Sequence, residues 1–322
     1  MPTVPGYVHT PGHHCGSTAL RNLLAFHGIE LSEEMAFGLG AGACFYYLTL
    51  EDGSPTRWFN GRTARLEESF RDITGAALEM RTFSAGDGAA WEAARAEVDA
   101  GNPALLLTDI YYLDHYGSSA HFPGHAVVLA GYDEEFAHLS DTGFERLQAT
   151  RLENLARARH SGHPAYPLEG HMFTVSAAFD QDRLEAAIPR AIERAAGEML
   201  EPTWGEFAGL PAIERLAGEA GSWPEVAEDW QWCARFAYQV IERRGTGGGA
   251  FRLMYSRFLE EAGRPEAPLA AAAARCWTEL ADAFKAASES RTPDAALWDQ
   301  VGEAADRVGE AEGRLWTSLA GS

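Results

Sequence analysis

The hydrophobic pattern of this 322-residue chain changes character near residue 180, and that change constrains the fold more than any other feature. Ahead of it, short apolar runs of strand length alternate with apolar residues at helical spacing. Beyond it, every apolar stripe has the helical period. A sheet must therefore be completed within the first part, and the expected class is α+β followed by an all-helical domain, with domains at 1–180 and 181–322. In the first part, Ala19, Leu20, Leu23, Leu24 and Phe26 place a helix from Cys15 to about His27. "LSEEMAFGLG" offers Ser32 as its N-cap and stops at glycines. "ACFYYLTL", "LEMRTF", "ALLLTDIYYL", "HAVVLAGYD", "FAHLSD" and "HMFTVSA" (171–177) read as strands, the fourth and fifth joined by an acidic turn. "RTARLEESFRDITG" and "AAWEAARAEVDAG" read as helices. In the second part "WPEVAEDWQWCARFAYQVIERRG" reads as a helix, and Trp277, Leu280, Phe284, Leu297, Trp298 and Leu315 make the Ala-rich remainder amphipathic.

Composition narrows the function classes. The formal charge of −21 disfavours nucleic acid as a partner, because such binding neutralises phosphates with Lys and Arg. An acidic surface suits a cationic small molecule better. No apolar run reaches membrane-spanning length, and the N-terminal "MPTVPGYVHT" has neither a basic nor an apolar leader region, so neither membrane nor export is expected. The four cysteines, 15, 44, 233 and 276, show no CxxC spacing, which fits free thiols in a reducing, cytoplasmic setting.

Cys15 follows the loop "TPGHH" at a helix start, where unpaired amides and the positive end of the helix dipole lower a thiol's pKa. Gly16 is expected to leave space beside the thiol for a substrate carbonyl. His125 opens one strand candidate and Asp141 closes the next, so the carboxylate can orient the imidazole. Cysteine at a helix start, then histidine and aspartate on adjacent later strands, is the papain-like order, with Cys15 as nucleophile, His125 as base and Asp141 as orienter. The alternatives are a buried helix-start cysteine, a core histidine and a turn-capping aspartate.

"HCGSTALRNLLAFHGIELSEEMAFGLGAGACFYYL" and "DIYYLDHYGSSAHFPGHAVVLAGYDEEFAHLSDT" resemble two blocks of the BtrH-type family, named for the acyltransferase of butirosin biosynthesis. "IERRGTGGGAFRLMYSRFLEEAG" resembles the helical domain that accompanies them. The resemblance implies a papain-like fold, the roles just given to Cys15, His125 and Asp141, and transfer of an acyl group from a carrier-protein thioester to an amine. No resident cofactor is implied, since phosphopantetheine arrives with the donor. A more distant resemblance, to the papain-like peptidase domains of bacteriocin exporters, carries a Gln oxyanion donor six residues before the cysteine. Here that position is His9, so His9 and the backbone N–H of Cys15 are the expected oxyanion donors.

Other features are weaker. Tyr111, Tyr112 and His121 precede His125 and either line the cleft or belong to the strand core. Gly247, in "GTGGG" (245–249), is either a substrate-contacting loop residue or part of a helix connection; the loop lacks the GK[ST] ending of a phosphate loop. Glycines of "FGLG" (37–40) are expected to allow close packing near the site. The pairs His121/His125 and His13–His14–Cys15 raise a metal site, but no HExxH or paired CxxC is present and no metal is expected. An acidic carrier protein would need a basic patch, with Arg57, Arg62 and Arg65, or Arg243 and Arg244, as candidates. An amidase or cyclase using the same residues, and a binding protein on the same fold, are the competing readings. Oligomeric state is open.

Overall fold

The computed structural model describes residues 3–75, 78–86, 88–164, 166–175 and 181–321. In chain order the elements are α1 (Cys15–Phe26), α2 (Glu33–Leu39), β1 (Ala43–Thr49), β2 (Arg57–Arg62), α3 (Leu66–Thr74), β3 (Leu78–Arg81), α4 (Ala89–Asp99), β4 (Ala104–Asp109), β5 (Pro123–Tyr132), β6 (Phe136–Ser140), β7 (Gln148–Arg151), α5 (Leu152–Arg159) and β8 (Met172–Val175). Seven helices follow: α6 (Gln181–Leu200), α7 (Gly209–Ala220), α8 (Trp223–Val226), α9 (Trp230–Glu242), α10 (Arg252–Glu261), α11 (Ala267–Glu289) and α12 (Ala295–Ala320). The chain is α+β with a helical C-terminal region. Among the described residues no helix is long and apolar enough to cross a membrane.

The chain forms two compact units, residues 1–36 with 64–184 and residues 37–63 with 185–322. The first holds a six-stranded antiparallel sheet in the order β3-β8-β4-β5-β6-β7. β4 and β5 are central and buried along almost their whole length, which explains their near-continuous apolar sequence. Leu106, Val127, Leu129, Leu139 and Met172 pack with Ala94 of α4 and Leu155 and Ala158 of α5 in one core cluster. α1 packs on β5 and β4 through a stripe that leaves Leu20, Leu23 and Leu24 without exposure.

Residues 37–63, expected inside the first domain, belong to the second unit, so the simple division at residue 180 needs correcting. The reason is apolar burial. The β1–β2 hairpin presents Phe45 and Phe59 to Trp277 of α11 (ring centroids 5.2 and 6.2 Å apart) and Tyr47 to Trp223 (6.4 Å). Arg252, wholly buried, ties hairpin to helices: Nη1 donates to the carbonyls of Cys44 (2.8 Å) and Gly61 (2.6 Å), while Nε donates to Glu312 (2.7 Å). Trp277 and Trp316 each donate an indole N–H to the same carboxylate at 2.6 Å. Gly38 of the FGLG stretch lies under the Phe258 ring, where a Cβ has no room, so its smallness serves this unit's packing.

Other departures are local. "ALLLTDIYYL" stops being a strand at Asp109, whose carboxylate accepts from Tyr111 N–H (3.1 Å) and turns Ile110–Tyr112 into a 3-10 turn. The long helix expected from Trp223 breaks into α8 and α9. β2, β7 and α5 carry no clear apolar period in the sequence. Of "HMFTVSA", Met172–Val175 form β8, while residues 176 and 177 lie outside the described residues.

Candidate active site

α1 begins at Cys15 because the loop before it is held by one buried carboxylate. Glu33 accepts from the backbone N–H of His13 (2.9 and 3.0 Å) and His14 (2.7 Å), and from the hydroxyl of Thr18 (3.0 Å). An anion at a helix start is also favoured by the dipole. His14 is the N-cap: its Nδ1 accepts from Ser17 N–H (3.3 Å), so any proton the neutral ring offers lies on Nε2. Cys15 is thus the first helical residue and half-buried, its thiol free of any disulfide. Its backbone N–H is among those a helix start leaves without an intrahelical acceptor.

The other two expected residues come from the sheet. Val128 of β5 pairs with Ser140 of β6, so Asp141 sits diagonally from His125 across the two strands. His125 Nε2 donates to Asp141 Oδ1 at 2.9 Å, with both side chains buried. The remaining ring nitrogen, Nδ1, is then the one available to Cys15. Burial alone would push the Cys15 thiol up, but the charges of His125 and then His14, with hydrogen bonds from both, hold it well below the ordinary thiol range. Burial works against the His125 charge too, and the Asp141 carboxylate and the Cys15 thiolate overcome it, raising His125 to about 10. Asp141 is held below the usual carboxylate range: burial opposes its charge, and His125 and His115 outweigh that. A thiolate facing an imidazolium is the ground state this geometry favours, and a thiolate is the nucleophilic form of cysteine.

Two further residues converge on Asp141 that sequence reasoning missed. His115 Nε2 donates to Oδ2 at 2.8 Å, and Tyr116 donates its hydroxyl to Oδ1 at 3.3 Å. Both lie in the loop "LDHYG" between the 3-10 turn and β5. Two adjacent hydrogen-bonding residues ahead of His125 were the only signal, and it gave no partner.

His9 needs correction as an oxyanion donor. Its Nε2 donates to the Phe144 carbonyl and its Nδ1 accepts from the Ser140 hydroxyl, both at 2.7 Å. Both nitrogens are spent, so the ring fastens the N-terminal segment to the end of β6. Gly16 offers no substrate space either: a Cβ there would run into Leu66 and Glu67 of the first unit's α3. Its smallness lets two helices approach.

Tyr111 and His121 stack at 4.1 Å between ring centroids, with Tyr112 edge-on to both. His121 Nδ1 donates to buried Asp109 at 2.6 Å. Thr108 pairs with His125 and Asp109 with Pro123, which sets this aromatic group at the His125 end of the sheet. His121 and His125 therefore address different carboxylates rather than one metal, and among the described residues no group of three or more His, Cys, Asp or Glu is arranged to hold an ion. Gly247 lies in the second unit, at a positive φ of 65°, in the loop joining α9 to α10, where Thr246 and Glu242 satisfy neighbouring amides. Of the basic candidates, Arg57 is buried and donates to the Val226 carbonyl, Arg62 to the Thr63 carbonyl, Arg65 is paired with Glu68, and Arg244 donates to Gln239. Arg243 is the C-cap of α9, its backbone N–H donating to the Gln239 carbonyl at 2.8 Å.

Residues 14–142 match the family model of the N-terminal domain of butirosin biosynthesis protein H. Residues 153–319, more than half the chain, match a domain of unknown function, DUF4872. The chain belongs to the BtrH-type family. The first match opens at His14 and closes at Thr142, so this BtrH-type domain contains Cys15, His115, His125 and Asp141 and leaves out His9. No curated protein matches the chain.

Proposed function

We propose that this BtrH-type protein is a cysteine-dependent acyltransferase that moves an acyl group from a carrier-protein thioester to an amine. Family membership supports a role in acyl transfer for antibiotic-type biosynthesis. The observation that carries the cysteine mechanism is geometric: Cys15 opens α1 facing His125, an imidazole that is itself held by the buried carboxylate of Asp141.

In the first step the Cys15 thiolate attacks the thioester carbonyl, and the tetrahedral oxyanion is held by the Cys15 backbone N–H at the dipole end of α1. The His125 imidazolium protonates the departing pantetheine thiol, leaving an acyl-enzyme and a neutral His125. In the second step the amine attacks the acyl-enzyme, His125 takes its proton, and the cysteine leaves as thiolate. Amide and free enzyme result. The phosphopantetheine arm belongs to the donor, and the chain's own residues supply all the proton transfers. The stacked Tyr111 and His121, at the His125 end of the sheet, form the surface proposed for the acceptor.

A chromogenic thioester, with and without a polyamine acceptor, tests this on the full chain. An acyl adduct on Cys15 by mass spectrometry, discharged by the amine and absent in Cys15→Ser, is the expected result. Discharge by water at the same rate would replace transfer with hydrolysis. Absence of both adduct and turnover would leave a binding protein.

A further inference from the structure

Asp141 meets a second histidine, His115, whose position the acyl-transfer chemistry does not use. We infer that His115 is a positioning residue that locks the carboxylate of Asp141 in the orientation His125 requires. The inference rests on the reading of Asp141 as the orienting carboxylate and adds what orients that carboxylate.

Asp141 lies just past the end of β6, where its own strand no longer fixes it: β6 ends at Ser140. A carboxylate at such a place can turn about its last side-chain bonds unless both oxygens are engaged. Oδ1 faces His125 at 2.9 Å and the Tyr116 hydroxyl at 3.3 Å. Oδ2 faces His115 Nε2 at 2.8 Å, the shortest of the three contacts. Asp141 and its two histidines are nearly inaccessible to water, so no solvent molecule substitutes cheaply for a lost donor.

His115 is itself held. Its Nδ1 lies 3.1 Å from the hydroxyl of Thr150, a fully buried residue on β7, and its ring meets Phe144 edge-on at 5.1 Å. A hydroxyl donating to Nδ1 fixes the tautomer that carries the proton on Nε2, the atom facing Asp141. The result is a line of hydrogen bonds from β7 through His115 and Asp141 to His125 and the thiol. Strand register alone leaves a gap in that line: β7 lies beside β6, but Thr150 is opposite Ala137, well before Asp141 along the strand. His115 spans the Thr150–Asp141 step from a loop.

His115→Phe keeps a ring and removes the donor, whereas His115→Gln retains an N–H near the Nε2 position. Read without any acyl substrate, the pH dependence of Cys15 alkylation by iodoacetamide should show its midpoint rising by about one pH unit in His115→Phe. Thioester turnover should fall about 10- to 100-fold in kcat with KM changed less than about 3-fold, and His115→Gln should recover most of both. Thr150→Val, which removes only the tautomer-fixing hydroxyl, should give a smaller effect of the same sign, and it carries the test if His115→Phe does not fold. Unchanged alkylation in His115→Phe, or equal impairment in Phe and Gln variants, would overturn the assignment. An ordinary thiol midpoint for Cys15 in the unaltered protein would instead remove the acyl-transfer reading beneath it.

Discussion

Asp141 in the first unit and Glu312 in the second are both fully buried carboxylates, and their partners differ in a way that separates chemistry from architecture. Glu312 meets Arg252 through both oxygens and accepts two indole N–H groups, so its donors are a guanidinium and two tryptophans. None of these donors gives up its proton at ordinary pH. Asp141 is as deeply buried, yet accepts from two histidines and a tyrosine, with a thiol beyond one of the histidines. Its donors include imidazoles, side chains able to pass a proton on where a guanidinium and an indole are not. The same device, a buried carboxylate with both oxygens engaged, holds a hairpin to helices in one place and, in the function proposed above, poises a nucleophile in the other.

That contrast can be broken by substitution. Asp141→Asn keeps the shape but removes the charge and offers His125 the wrong hydrogen-bond pattern. Thioester turnover should drop by about 10³- to 10⁴-fold, while urea unfolding shifts by less than about 2 kcal/mol. Arg252→Met should do the reverse, leaving Glu312 buried without its cation and lowering the unfolding free energy by about 3–5 kcal/mol. If Asp141→Asn destabilised the fold as severely as Arg252→Met, the division between the two carboxylates would collapse.

Changing the pH sharpens the contrast with a smaller effect. Cys15 is depressed and His125 raised, so the thiolate–imidazolium pair exists above the lowered thiol value and below the raised imidazole value. Alkylation of Cys15 should therefore rise less steeply between about pH 6 and pH 8 than that of an ordinary thiol, which climbs toward its pKa of about 8.5. The raised imidazole stabilises the fold fully below about pH 6.5, its unfolded value, and that contribution is lost as pH rises through the raised value. The depressed Asp141 contributes fully above about pH 3.9 and loses its share as pH falls through its lowered value. Urea unfolding across both limbs, compared with Asp141→Asn, measures the difference.

Much of this was legible from residue patterns. α1, the strand pair β5–β6 and the convergence of His125 on Asp141 are written in apolar runs and in the order of three residues. What escaped depends on neighbours distant in the chain. β2 reads "RWFNGR", and its Asn-Gly looks like a turn; it is a strand through its pairing with β1, and position 61 is a glycine because a side chain there would strike the Ala250 carbonyl. β7 is four residues with one fully buried position, too little for a period to show. His9 sits at the spacing of an oxyanion donor, yet its nitrogens were claimed by Ser140 and Phe144, more than a hundred residues away. His115 has no motif of its own, and only the carboxylate it reaches gives it a role.

The hairpin of β1 and β2 carries one more consequence, for the order in which the protein is made. The chain leaves the first unit after Ala36 and returns to it at Ala64, but the helices that cover the hairpin begin only after Leu184. On the ribosome, Phe45, Tyr47 and Phe59 emerge long before Trp223 and Trp277, the aromatic rings that shield them. The first unit must close around an unfinished excursion, and the nascent chain carries a sticky apolar hairpin through most of its synthesis. Cutting the gene at residue 180 would make that transient exposure permanent in one fragment and strip the other of its lid of strands.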